Sequence, residues 1–138
     1  MIETLTPAPD NDCFGCGGGN PHGLQLQFAL DHEQRQVRAR LRVRREFQGS
    51  QRILHGGIIA LLLDEAMGKL TRLRGVRAVT AELEIAYLRP IATEEEISIT
   101  AAEESAEGRN LHFRAEICNA SGQTLARGRG RFVIVGQR

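Results

Sequence analysis

The chain has 138 residues, 41% of them apolar, which suits one domain with a single core and argues against a disordered chain or a multi-domain enzyme. Eighteen Lys and Arg against seventeen Asp and Glu leave a formal charge of +1, so no strong field marks a nucleic-acid or anionic-membrane partner. The longest apolar run, Ile58 to Leu63, has six residues against the roughly 20 of a membrane span. The N-terminal residues Met1 to Pro7 carry an acid and no apolar stretch of signal-peptide length, so a cytoplasmic location is expected.

In chain order, residues 1–22 collect Pro7, Pro9, Asp10, Asn11, Asp12, Gly15, Gly17, Gly18, Gly19, Asn20 and Pro21. Such a density of turn formers predicts an irregular arm before a single domain over residues 23–138. From Leu24 the period is two. Leu24, Leu26, Phe28 and Leu30 share one face, and Val37, Ala39, Leu41 and Val43 alternate with Arg38, Arg40, Arg42 and Arg44, which reads as two antiparallel strands around Asp31-His32-Glu33. Ile59, Leu62, Leu63, Ala66, Leu70 and Leu73 then recur at three and four, bracketed by Gly56-Gly57 and Gly75. That predicts one helix of about five turns.

Alternation returns with Val79, Ala81, Leu83, Ile85 and Tyr87 and stops at Arg89-Pro90. Three more strands follow, centred on Ile97 to Thr100, on Leu111 to Ile117 and on Leu125 to Val135, with turn signals at Glu107-Gly108 and Asn119-Ala120-Ser121-Gly122. The expected fold is α+β, an antiparallel sheet of about five to six strands wrapped around one long central helix.

The helix carries the chemistry. Residues 58–63 are apolar in every direction, which predicts a buried helix, yet Asp64 and Glu65 follow at once. A carboxylate in such surroundings costs several kcal/mol unless paired or protonated. Glu65 has Lys69 four residues on, the favourable orientation for a solvated pair. Asp64 has Ala60 and Leu61 one turn before it and Met67 and Gly68 one turn after, with no cation. It is therefore the candidate functional acid, the alternative being a structural acid bonded to a backbone N–H or to His55.

His55-Gly56-Gly57 opens the helix. Free backbone N–H groups at a helix start, with the helix dipole behind them, suit a developing oxyanion, although glycines there also serve simple tight turns. Gly56 and Asp64 lie eight residues apart, about 12 Å along one helix. A reacting carbonyl needs both groups at about 3 Å. A twofold dimer placing Gly56 of one subunit opposite Asp64 of the other is the simplest solution.

The segment from His55 to Gly68, HGGIIALLLDEAMG, resembles the helix signature of hotdog-fold acyl-CoA thioesterases of the PaaI-like branch. Cys13-Phe14-Gly15-Cys16-Gly17 with Asn20-Pro21-His22-Gly23-Leu24 resembles the lead-in of one bacterial subgroup, and Ala78 to Ile85 with Tyr87-Leu88-Arg89-Pro90 resembles the strand after the helix. The likeness spans about residues 13–135. It implies a hotdog fold and hydrolysis of acyl-CoA thioesters by a homodimer or dimer of dimers, without a cofactor. It also implies roles by position: Asp64 as nucleophile or general base, Gly56 backed by Gly57 as oxyanion donor, and Thr80 as a residue that orients the attacking water. His55 is read as a hydrogen-bonding residue of the same site. Relatives often carry Asn or Gln about six residues before the His. Here that place is Gly49, so Gln48 is the substitute candidate for contact with the substrate carbonyl; Glu65 is a substrate-binding candidate and the alternative to Asp64 as the acid.

Cys13-x-x-Cys16 with His22 offers three zinc-type ligands, but a structural zinc wants four and Cys118 lies in a distant strand. Packed thiols and no metal are expected. The rows Arg38 to Arg44 and Arg127, Arg129, Arg131 read as solvated faces able to meet phosphates. Two other functions stay open: a non-catalytic acyl-CoA binding protein and a hotdog hydratase or dehydratase, whose usual His-and-acid signature is not visible.

Overall fold

Period-two stretches become strands and the period-3.6 stretch becomes a helix in the computed structural model, which describes residues 1–138. The strands are β1 (Ile2–Leu5), β2 (Phe28–Asp31), β3 (Gln36–Arg42), β4 (Val76–Tyr87), β5 (Glu96–Glu107), β6 (Asn110–Asn119) and β7 (Thr124–Gln137), with helix α1 (Gly56–Lys69) between β3 and β4. They form one antiparallel sheet in the order β1-β2-β3-β5-β6-β7-β4. This is the hotdog arrangement. The helix buries Ile59, Leu62, Leu63, Ala66 and Met67 against alternate residues of the sheet, among them Leu30, Val37, Ile99, Leu111, Phe113 and Ile117. Each large side chain so buried contributes roughly 1.5–3 kcal/mol. No helix is long and apolar enough to cross a membrane.

The structure departs from the sequence expectation in three places. The sheet has seven strands, because the arm is not irregular throughout: Ile2-Glu3-Thr4-Leu5 pairs with β2 from Ile2↔Asp31 to Leu5↔Phe28. A β-prone tetrapeptide ahead of Pro7 covers what would be an open edge of β2. The strand expected from Leu24 begins at Phe28, since the arm has already taken the Leu24 and Leu26 amides, at 2.8 Å to the Phe14 carbonyl and 2.9 Å to that of Gly15. The five-turn helix is instead 14 α-helical residues followed by a 3-10 turn over Leu70–Arg74. Its tightening coincides with the β-branched Thr71, whose hydroxyl donates to the Gly68 carbonyl at 2.8 Å, and it ends on Gly75 at φ 64°.

Arg74 ties this turn to the sheet, donating from Nε and Nη2 to the two carboxylate oxygens of Glu103 on β5 at 2.7 and 2.8 Å. The bonded guanidinium holds the Glu103 carboxyl below its ordinary range. A depressed folded-state pKa means that the pair stabilises the fold above the unfolded value of about 4.3 and loses that contribution as pH falls through the folded value. Glu103→Gln is accordingly expected to cost about 0.5 kcal/mol at neutral pH, the scale of a partly exposed pair. In urea titrations of the two proteins the difference should shrink below about pH 4.3; a difference independent of pH would refute the linkage.

Candidate active site

The side of α1 away from the core is not wrapped by the sheet, contrary to the expectation of a helix buried all round. Ala60, Leu61, Asp64 and Gly68 are only half-buried and Gly57 is exposed, because the sheet ends at β4 and leaves this flank uncovered.

β4 reaches the helix through an irregularity. Thr80 pairs with Phe132 and Glu82 with Arg131, which leaves Ala81 as an extra residue in the strand. The bulge shifts the alternation by one. Ala78 and Thr80 before it and Leu83 and Ile85 after it all stand on the helix side, opposite core-facing partners such as Phe132 and Gly130. Thr80 Oγ1 consequently donates to Asp64 Oδ1 at 2.7 Å. Asp64 therefore bonds to a threonine hydroxyl, not to His55 or a backbone N–H. The pair lines a cleft of about 310 Å³ that also touches Gly68, Lys69, Ala78 and Phe132. A carboxylate held on one oxygen by a hydroxyl donor, with Oδ2 turned to no side chain of its own subunit, is positioned to accept a proton.

At the other end of the helix, the His55 side chain is the N-cap. Its Nδ1 accepts from the Gly57 N–H at 2.8 Å, which requires the tautomer with the proton on Nε2. This corrects the expected role of Gly57, whose amide is committed to His55. Ile58 and Ile59 both donate to the His55 carbonyl at 3.0 Å. The amide of Gly56 donates to no group in the chain, so Gly56 carries the free donor at the positive end of the helix dipole.

Tyr87, which the sequence reading passed over, donates from its hydroxyl to the Gly56 carbonyl at 2.9 Å and so fastens the helix start to the end of β4. It is the chain's single tyrosine, a signal that could have singled it out.

Two expected site residues have polar atoms engaged elsewhere, although Glu65 still lines the Asp64 cleft. Gln48 Oε1 accepts the Arg52 N–H at 2.9 Å and closes the loop before the helix. Glycine gives close passage at position 49, where a Cβ would stand 3.1 Å from His55 Cα. Glu65 makes no bond with Lys69: its Oε1 accepts from Cys13 Sγ at 3.5 Å, while Lys69 Nζ donates to Cys16 Sγ at 3.1 Å. The arginine rows are largely engaged in local pairs, Arg131 with Glu82 at 2.6 Å and Arg129 with Glu104 at 3.5 Å.

Gly56 and Asp64, at opposite ends of the exposed flank, do not converge within one chain. The flank continues onto apolar side chains of the edge strand and the loop after it, with Leu83, Tyr87 and Leu88 exposed by 38%, 56% and 45%.

A family model described as the thioesterase superfamily matches residues 51–126. Among solved structures, the chain is similar to a thioesterase superfamily protein at 28% identity and a TM-score of 0.82, covering 88% of this chain and 60% of that one. This chain thus spans about three fifths of that relative's length. The BH2602 protein from Bacillus halodurans, solved with CoA, is 29% identical with a TM-score of 0.65, over 75% of this chain and 70% of its own. The E. coli PaaI protein from the phenylacetic acid degradation operon shares the fold at 23% identity and a TM-score of 0.70, over 75% of each chain. None of the curated proteins matches the sequence.

Proposed function

Starting from a chain that belongs to the thioesterase superfamily, we propose that it hydrolyses acyl-CoA thioesters to the free acid and CoA, as a homodimer with two equivalent sites. The observation that carries this reading is the Asp64–Thr80 pair on the open flank of α1, 2.7 Å apart, with the unspent Gly56 amide about 12 Å along the same helix. One thioester carbonyl reaches both kinds of group only if Gly56 comes from a second copy, and the apolar edge beside them offers the surface for one.

In the reaction, the thioester carbonyl oxygen accepts the Gly56 N–H of the opposite subunit, where developing negative charge is stabilised by the helix start. Asp64 acts as general base through Oδ2. It removes a proton from a water molecule, whose oxygen forms the new bond to the carbonyl carbon. Thr80 holds Oδ1 and so sets the plane of the carboxylate. Collapse of the tetrahedral intermediate breaks the carbon–sulfur bond, and the sulfur leaves with its electron pair and takes up the proton as the CoA thiol. Support for a CoA ester as substrate comes from the family and from the CoA bound in the B. halodurans relative.

The direct test is thiol release from short, medium, long and aryl acyl-CoAs. Release from at least one class is expected; binding of acyl-CoA without release from any class would replace hydrolysis with a non-catalytic acyl-CoA binding role. Thr80→Val removes the hydroxyl and keeps the shape of the side chain. A hydrogen bond to a charged group contributes about 1.5–3 kcal/mol, so kcat should fall by about ten- to a hundredfold with little change in KM. An unchanged kcat would remove Thr80 from the mechanism.

A further inference from the structure

The arm and the helix bring together a cluster that the proposed hydrolysis does not use. The sulfur atoms of Cys13 and Cys16 and a carboxylate oxygen of Glu65 all lie within 4.8 Å of one another. We propose that these three residues bind one zinc-class divalent ion, which fastens the N-terminal arm to α1 next to Asp64. Zinc takes thiolate at about 2.3 Å and carboxylate at about 2.0–2.2 Å in a tetrahedron, so ligands this close need to close up by an ångström or so around the metal. Water completes the fourth position, and two thiolates favour zinc over the hard cations calcium and magnesium.

The sequence expectation of packed thiols without metal rested on Cys13, Cys16 and His22 lacking a fourth protein ligand; the folded cluster also supplies three, which is why water has to take the fourth position. His22 is not in the cluster, and the third ligand comes from the helix, 52 residues from Cys13.

Three independent features build the cluster. Backbone bonds hold the two cysteines on one short turn, with the Gly17 N–H on the Cys13 carbonyl at 2.9 Å and the Leu24 and Leu26 amides on the carbonyls of Phe14 and Gly15. Glycine lets that turn approach the helix: a Cβ at Gly15 would stand 2.6 Å from Glu65 Cδ.

Charge also balances. Two thiolates, one carboxylate and a divalent ion carry a net charge of −1, and Lys69, the single lysine of the chain, places its ammonium 3.1 Å from Cys16 Sγ. The Asn11 amide stands 3.8 Å from the same sulfur. Metal binding releases the two thiol protons to solvent, and the thiolates so formed gain the ion and the ammonium in place of water, at a site where Cys16 is only 8% exposed.

The experiment uses the full chain purified under reducing conditions and dialysed against metal-free buffer, with zinc measured by elemental mass spectrometry and cobalt(II) titrated into the metal-stripped protein. About one zinc per chain is expected, together with a thiolate-to-cobalt charge-transfer band. Cys118→Ser should keep both, Cys13→Ser and Cys16→Ser should lose both, and Glu65→Gln should bind cobalt at least tenfold more weakly. Lack of the band in reduced wild-type protein, or zinc retained by Cys13→Ser, would overturn the site whatever the fate of the hydrolytic reading, because neither readout depends on activity.

Discussion

Asp64→Asn is expected to lower kcat for thioester hydrolysis by roughly a hundredfold or more, the usual contribution of a positioned acid–base group, while KM stays nearly constant. The reason lies in how the carboxylate is held. Thr80 Oγ1 sits 2.7 Å from Asp64 Oδ1, and an amide in the same place can keep that bond through its own oxygen. The substitution removes the basic oxygen and leaves shape, packing and helix intact. Thiol release at saturating substrate, with circular dichroism and sedimentation to verify a folded dimer, measures the effect. A variant within tenfold of wild type would exclude Asp64 as the acid and return attention to Glu65. General base and nucleophile are then separated by a single turnover in oxygen-18 water. A base sends the label only to the released acid, so label recovered in Asp64 would establish a nucleophile whose acyl anhydride is opened at the aspartyl carbon.

Leu83→Asp is the second large effect, directed at the edge strand. β4 has 12 residues with β7 on one side and none on the other, a free edge of about 40 Å at roughly 3.4 Å per residue. Free edges of that length are normally blunted by charge or proline, or else paired. Here the edge carries Leu83 and Tyr87 toward the open flank of the helix. In the proposed dimer, pairing with a second copy covers both, and a lone carboxylate in that interface costs several kcal/mol. Leu83→Asp should therefore sediment as a monomer. Because in the proposed dimer each site then loses the amide donated by the other subunit, activity should fall by about 10²–10³, the effect of removing one oxyanion donor. Leu83→Met, close in volume, should do neither. A monomeric variant with full activity would show that the site is complete in one chain.

Much of the fold was legible because local patterns carried it. Period-two runs marked β3 to β7, three-and-four spacing marked the start and buried face of α1, and the turn signals at Gly75, Gly108 and Gly122 all fall at positive φ, as glycine permits. β1 was missed because four residues show too little periodicity to stand out, and they become a strand only when β2 supplies the partner. The end of α1 was misjudged because leucine spacing continues through Leu70 and Leu73, and a 3-10 turn buries such residues as well as an α-helical one does.

The site divides along the same line. By itself the sequence determined that one helix begins with His55-Gly56-Gly57, carries an acid pair eight and nine residues after Gly56, and lies in an antiparallel α+β domain, because each of these is a local property of spacing and residue type. Which acid meets which partner was decided by tertiary structure alone. Strict alternation puts Thr80 on the face opposite Leu83, Ile85 and Tyr87, and one extra residue at Ala81 brings it to the same side, onto Asp64. The Glu65-to-Lys69 spacing predicts an ion pair, but the folded arm delivers Cys13 and Cys16 to those two side chains instead. A bulge and a docked loop depend on contacts between segments far apart in the chain, and no local period records them.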